Sequence, residues 1–390
     1  MQLPDYHGGS IVNLMRSIER ALDARPSAAA AAYPEMNALP AAALAGARNI
    51  VLLVIDGLGY DYLNRAGAGG ALHHHLKGRI TSVFPSTTAT AVSSFLTGVG
   101  PQQHALTGWH MWLRELGCTA ATLRFRPRHG GEPLSKSGIA PRSLFTAEPM
   151  FDRLAAKSYV VSPDKIIDSD YNVAHCGAAA RRPYKELPEL FAKVAEIVRS
   201  GSERQFIHAY TYDFDAAAHT FGSASPELQA TFRQIDAAYA RFLEEIAGSD
   251  TLVLAVADHS FIDSPKAACI ELADHPQLAE TLMLPLCGER RIAYCYVQPG
   301  REGAFEHYVQ TRLEHCAKLY RSSDLIDQGW FGLGPANPRL AERVGHYALV
   351  MKGDYTIKDW ILGEPRYLTV GVHGGVSAAE MYVPLILALA

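Results

Sequence analysis

Residues 48–61 read RNIVLLVIDGLGYD, and the fold follows from them. Apolar side chains run unbroken from Ile50 to Ile55, several of them β-branched, and stop at Asp56-Gly57. Such a run bounded by turn residues predicts a strand buried on both faces, as in parallel α/β sheets. Burying a carboxylate at the end of that strand is costly unless a cation or strong hydrogen bonds offset it. In open α/β sheets, ligands sit outside the carboxyl ends of the strands, where Asp56 falls. The alternative is a turn aspartate that caps the next helix.

The same rhythm continues downstream. SYVVSP (158–163) is strand-like, LPELFAKVAEIVRSG (187–201) is an amphipathic helix, and RQFIHAYTYDFD (204–215) is a strand ending in carboxylates. The helical ELQATFRQIDAAYARFLEEIAG (227–248) leads into TLVLAVADHS (251–260), a third apolar strand. This alternation predicts an α/β protein with a mainly parallel central sheet. Between residues 262 and 345 the rhythm loosens. A smaller inserted subdomain is expected there, with 1–261 and 346–390 forming the core. Residues 118–150, with several prolines and a basic cluster of Arg124, Arg126, Arg128 and His129, are expected as a surface excursion near the site mouth. Those arginines either grip a second phosphate or form a solvated loop.

At the N-terminus, Ile11, Leu14, Met15, Ile18 and Leu22 share one face of a short predicted helix. Residues 24–47, rich in Ala and Pro, are a connecting arm or a loose helix.

The chain has 390 residues, 48% hydrophobic and 19% charged, enough for a sizeable core. A net charge of -4 gives no general basic surface, so no nucleic-acid polymer is expected as partner. The six cysteines form no C-x-x-C pair, which suits a reducing compartment. With no secretion-type leader and no run long enough to span a bilayer, a soluble cytoplasmic protein is expected.

Candidate ligands follow the apolar runs: Asp56 after NIVLLVI, Asp215 after FIHAYTYDF, Asp258-His259 after TLVLAVA, and His373 after LTVGV. Asp215 and His219 frame DAAAH, so one helical turn puts both on one face. Asp213 rivals Asp215, but its spacing to His219 is poorer. Three aspartates and three histidines are what two divalent cations need, and mixed carboxylate and imidazole donors favour zinc or manganese over calcium. The triple His73-His74-His75 is a weaker metal candidate, because adjacent helical residues point apart. A hydroxyl of Ser86, Thr87, Thr88 or Thr90 stands at the start of a predicted helix that ends at Gly98. It is a nucleophile if a cation lowers its pKa, or simply a helix cap.

In order, VLLVIDGLGYD, FPSTTATAVSSFLTG, DAAAHTFG, ADHS and GVHGG, spread over residues 51–375, resemble the alkaline phosphatase superfamily. The likeness is greatest to its nucleotide pyrophosphatase/phosphodiesterase branch. It implies an alkaline-phosphatase-like three-layer sandwich. It also implies one metal held by Asp56, Thr88, Asp258 and His259, and a second held by Asp215, His219 and His373. In this superfamily the nucleophile stands ten residues before the glycine of a Thr-Gly that ends the helix. Counted back from Gly98 this is Thr88, with Thr87 in reserve.

The sequence also departs from the pattern. Phosphodiesterases of this branch carry an asparagine past a His-Gly to hold the phosphoryl oxygen. Here HALTGWHM puts Trp109 near that place, and diester preference is the property this touches. The Cys/Ser-x-Pro-x-Arg signature of sulfatases is absent around Thr88. The resemblance therefore implies a two-metal phosphoric ester hydrolase, a phosphodiesterase or nucleotide pyrophosphatase, working through a phosphothreonine on a small-molecule ester such as a nucleotide. The rivals are a phosphomonoesterase or phosphonate hydrolase on the same centre, and a catalytically silent metal-binding interaction protein.

Overall fold

A computed structural model describes residues 1–390. The strand Asn49–Ile55 is buried at every position, as are Gln205–Thr211 and Thr251–Val256. Burial on both faces explains why Ile50–Ile55 and Leu252–Val256 are uninterrupted apolar runs, while Gln205–Thr211 buries Gln205, His208 and Thr211 among its apolar residues. They form the centre of a seven-stranded sheet with spatial order Leu76–Thr81, Tyr382–Leu389, Thr251–Val256, Asn49–Ile55, Gln205–Thr211, Lys157–Pro163 and Ala180–Tyr184. The last five of these run parallel, while Tyr382–Leu389 and Leu76–Thr81 pair antiparallel along one edge. This is the α/β class, with its mainly parallel sheet and alkaline-phosphatase-like layering, that the sequence implies.

Register places the chemistry. Ile55 lies opposite Thr211 and Val54 opposite Val256, so three neighbouring strands finish at one level. Asp56, the helix Asp213–Phe221 and Asp258-His259 all follow directly from those ends.

The amphipathic helices form as expected. Leu187–Ser200 buries Leu190, Phe191, Val194, Ala195, Ile197 and Val198, the 3.6-residue face. Pro226–Glu245 begins with proline in its first turn, and the Ser225 hydroxyl accepts from Leu228 N at 3.1 Å. The N-terminal helix Ile11–Ala21 lies deeper than an amphipathic surface helix would. Its Glu19 is fully buried and pairs with Arg153 at 2.5 Å and Arg16 at 3.2 Å.

A second seven-stranded sheet has the order Ala317–Arg321, Tyr347–Met351, Ile292–Cys295, Cys287–Gly288, His110–Leu113, Cys118–Ala121 and Arg126–Pro127. All its pairs are antiparallel. It therefore reaches beyond the 262–345 segment, and part of the expected surface excursion supplies two of its strands. These strands are short and local pattern barely marks them. The join is a single backbone pairing of Gly288 with His110. Gly108 and Gly288 allow it, since a Cβ on Gly108 would stand 2.7 Å from the Gly288 Cα.

The run before His373 forms only a two-residue strand, Gly371–Val372, paired with Ile262–Asp263 outside the central sheet. No helix is long and apolar enough to cross a membrane.

Candidate active site

Asp56 and Asp258 stand side by side at the ends of adjacent strands, 1% and 0% exposed. Each carboxylate spends one oxygen on the scaffold. The Tyr210 hydroxyl donates to Asp56 Oδ2, and Asp258 Oδ1 accepts from Gly57 N and His259 N, both at 3.0 Å. The other oxygens, Asp56 Oδ1 and Asp258 Oδ2, are buried with no hydrogen-bonding partner, and each lies 3.4 Å from His259 Nε2. The Ser260 carbonyl, 3.2 Å from His259 Nδ1, can only accept, so that nitrogen carries the proton and Nε2 presents a lone pair.

The second group is built the same way. Asp215 and His219 share one face of Asp213–Phe221, with Asp215 Oδ1 3.4 Å from His219 Nε2. His219 Nδ1 faces the Gly371 carbonyl at 2.8 Å, which again turns Nε2 inward. His373 Nε2 lies 3.3 Å from it. Asp215 Oδ1 and His373 Nδ1 are also buried without partners. Asp213 turns away and accepts from the Thr211 hydroxyl at 2.9 Å.

Charge in the site is unbalanced. Burial, then the charges of Asp258 and Asp215, hold the Asp56 carboxyl well above its usual range, and burial likewise raises Asp215. Burial, then His259 and His219, push His373 well below the ordinary imidazole value. Carboxylates that resist ionising crowd beside an imidazole held neutral, and their unpartnered donor atoms converge with no cationic side chain among them to compensate the acidic groups. Two groupings bring their donor atoms within 4.8 Å of one another: Asp56, Asp258 and His259, and Asp215, His259 and His373. This donor set fits divalent cations. Inward imidazole and carboxylate atoms, each oriented by a hydrogen bond on the opposite side, are what metal sites use.

Thr88 opens the helix Thr88–Thr97, which ends on Gly98 with a left-handed φ of 71°. Its Oγ1 lies 3.0 Å from His259 Nε2. Thr87, fully buried, instead donates to Glu289 Oε1 at 2.7 Å, and Ser86 donates to the Gly375 carbonyl at 2.7 Å. All seven residues singled out in the sequence, Asp56, Thr88, Asp215, His219, Asp258, His259 and His373, thus converge. His73, His74 and His75 join no such group.

The type I phosphodiesterase/nucleotide pyrophosphatase family model matches residues 50–376. The chain belongs to this family. A type I phosphodiesterase is an enzyme acting on phosphoric esters, and the family is metal-dependent. No curated protein matches the sequence. Among solved structures, the chain is similar to an inactive threonine-to-alanine form of murine ectonucleotide pyrophosphatase/phosphodiesterase 5 in complex with AMP. The identity is 16%, covering 86% of this chain and 87% of that one, with a TM-score of 0.65. The human protein of that name is 16% identical over 87% of each chain, with a TM-score of 0.64. Phosphonoacetate hydrolase from Sinorhizobium meliloti 1021 in complex with phosphonoacetate is 16% identical over 88% of this chain and 90% of that one, with a TM-score of 0.63.

Two residues of this site carry no mark in the sequence. Tyr210 is one of several strand aromatics, and only its register against Val54 puts its hydroxyl on Asp56. Glu289 reaches in from the second sheet and also accepts from Trp109 N at 2.7 Å. Burial lifts its carboxyl to about 7, opposed by those two hydrogen bonds. The Trp109 N–H is therefore already committed.

Proposed function

We propose that this chain hydrolyses phosphodiester or nucleotide pyrophosphate bonds through a phosphothreonine formed on Thr88, at a centre holding two divalent cations, zinc or manganese. The observation that carries this reading is the Thr88 hydroxyl, 3.0 Å from His259 Nε2 and beside carboxylate oxygens that lack any other partner. Asp56, Thr88, Asp258 and His259 would hold one ion, and Asp215, His219 and His373 the other. Bound ions supply the positive charge that lowers the pKa of an attacking hydroxyl and neutralises a departing oxygen.

The chain's own residues do the rest. Thr88 Oγ1 loses its proton to solvent and attacks phosphorus, the ester P–O bond breaks, and the departing oxygen takes up a proton from solvent. Water then cleaves the new P–Oγ1 bond, releasing a phosphate monoester and restoring the hydroxyl. Tyr210, kept protonated because burial raises its pKa well above normal, orients Asp56. The Ser260 and Gly371 carbonyls orient His259 and His219. The inactive threonine-to-alanine relative bound to AMP supports a threonine nucleophile and a nucleotide-like ester. Six unpaired cysteines support a reducing, cytoplasmic setting.

A phosphonate hydrolase or monoesterase is the second reading. Trp109 N–H is turned to Glu289 rather than left for a second phosphoryl contact, which favours it. Hydrolysis of bis-p-nitrophenyl phosphate against the monoester, with and without added zinc or manganese, separates the two. Metal-dependent release faster from the diester is expected. Release from the monoester alone would favour the second reading.

A further inference from the structure

Beside Thr88 lies a cavity of about 410 Å³. Val92 and Leu96, one and two turns along the Thr88 helix, form one wall, and Val160 and Tyr210 from the central sheet another. His208, fully buried and with neither ring nitrogen hydrogen-bonded, also lines it. Such a cavity suits an organic group of modest size.

Its charge is one-sided. Arg124, Arg126 and Lys165 line it and no acidic side chain does. None of the three side chains forms an ion pair or a hydrogen bond within the chain. Arg126 is half-buried, and its Nε is buried without a partner. Arg124 lies over the Trp109 ring, 5.7 Å from its centroid. Arg128 shows the contrast. Its Nη2 donates to Asp359 at 2.6 Å and Glu364 at 2.9 Å, so its charge is neutralised inside the fold. The basic cluster of the sequence thus divides. One arginine is structural, and two join a lysine from a separate helix on a cavity that opens on the nucleophile.

Like charges gathered without counter-ions repel one another, and an oxyanion placed among them relieves that cost. A guanidinium fork also matches a carboxylate or phosphate in two hydrogen bonds. We infer that the organic group of the substrate carries its own oxyanion, a carboxylate or a second phosphate, held by Arg124, Arg126 and Lys165 while its apolar body lies against Val92, Leu96 and Val160. This rests on Thr88 as the reacting hydroxyl, because the position of Thr88 defines which group enters the cavity. The preferred ester is then an anionic one, not merely an apolar one.

The test uses 4-nitrophenyl phosphodiesters whose second group is 4-carboxybenzyl, 4-phosphonobenzyl or neutral 4-carbamoylbenzyl. With the full chain and saturating metal, kcat/KM is expected to be roughly tenfold or more higher for an anionic ester than for the neutral one. Whichever anionic arm is faster distinguishes carboxylate from phosphate. In Arg126→Gln, and separately in Lys165→Gln, the ratio of anionic to neutral should fall towards one.

A second measurement does not need turnover. Thr88→Ala is titrated calorimetrically with 4-carboxybenzyl, 4-phosphonobenzyl and 4-carbamoylbenzyl phosphate, and tighter binding of the charged ligands is expected. Charged preference in binding without turnover of any diester would uphold the anion site and overturn the phosphodiesterase reading. Turnover of all three esters at equal rates, with equal affinities, would overturn the anion site alone.

Discussion

The imidazole rings of His259 and His373 are stacked, with centroids 3.7 Å apart and planes 19° from parallel. One follows the central strand Thr251–Val256, and the other comes from a loop near the C-terminus. The stacked rings bring His373, with Asp215, next to His259, whose Nε2 also faces Asp56 and Asp258. His373 joins Asp215 but not Asp56 and Asp258, so it is expected to serve only one ion. Wild-type protein loaded with zinc and dialysed should keep two equivalents by elemental analysis, and His373→Ala close to one. Two equivalents retained by the variant would remove His373 from the ligand set.

Thr87 and Thr88 adjoin in sequence but face different partners, Glu289 and His259. Thr88→Ala should keep its metal yet lose turnover by at least about a thousandfold, as nucleophile deletions do. Thr87→Ala should keep turnover within about tenfold but lose stability by about 1–3 kcal/mol, because a buried hydrogen bond to Glu289 disappears. Urea unfolding and initial rates on both variants check this. The opposite pattern would make Thr87 the nucleophile.

Arg291 and Glu380 form a buried pair between the second sheet and the C-terminal segment, with Arg291 Nε and Nη2 each 3.0 Å from a Glu380 oxygen. Glu380 also accepts from Gly375 N at 2.8 Å, two residues beyond His373. Glu380→Ala strands a buried guanidinium and should cost about 3–5 kcal/mol. The double change Arg291→Met with Glu380→Leu should recover much of that stability. Metal affinity should stay lowered in both, because the His373 turn has lost its anchor. Thermal unfolding and metal titration read the two effects separately.

His175 and His208 are buried, and burial lowers both to about 4. Above pH 6.5 both are neutral, folded or unfolded, and neither makes stability depend on pH. Below 6.5 the unfolded chain takes up protons that the folded one refuses, so stability falls as pH drops to about 4 and then levels. Per histidine this is about 2 kcal/mol at pH 5. Replacing His175, which packs on Tyr171 with centroids 4.2 Å apart, by Phe should flatten the urea-unfolding free energy between pH 7 and 5 by that amount. An unchanged slope would show that His175 is not buried neutral.

Much of this was legible in the chain before folding. The runs ending at Ile55 and Val256 are apolar because both sheet faces are covered, and that pattern is local. DAAAH needs only helical periodicity to pair Asp215 with His219, and Gly98 marks the helix end through its left-handed backbone. Other features are not local. His110–Leu113 has the alternating burial of a half-exposed strand, only four residues long, and its partner Gly288 lies far along the chain.

The sequence by itself determined the α/β class, the helix carrying the threonines, and the aspartates and histidines at the chain's turning points. Apolar periodicity and residue chemistry are written within a few neighbouring residues. Only the tertiary structure decided that Thr88 faces His259 while Thr87 faces Glu289, that Tyr210 holds Asp56, and that Arg126 lines a cavity while Arg128 is spent on Asp359. Those choices depend on strand order and register, which bring together atoms from distant segments and settle which buried charge finds a partner.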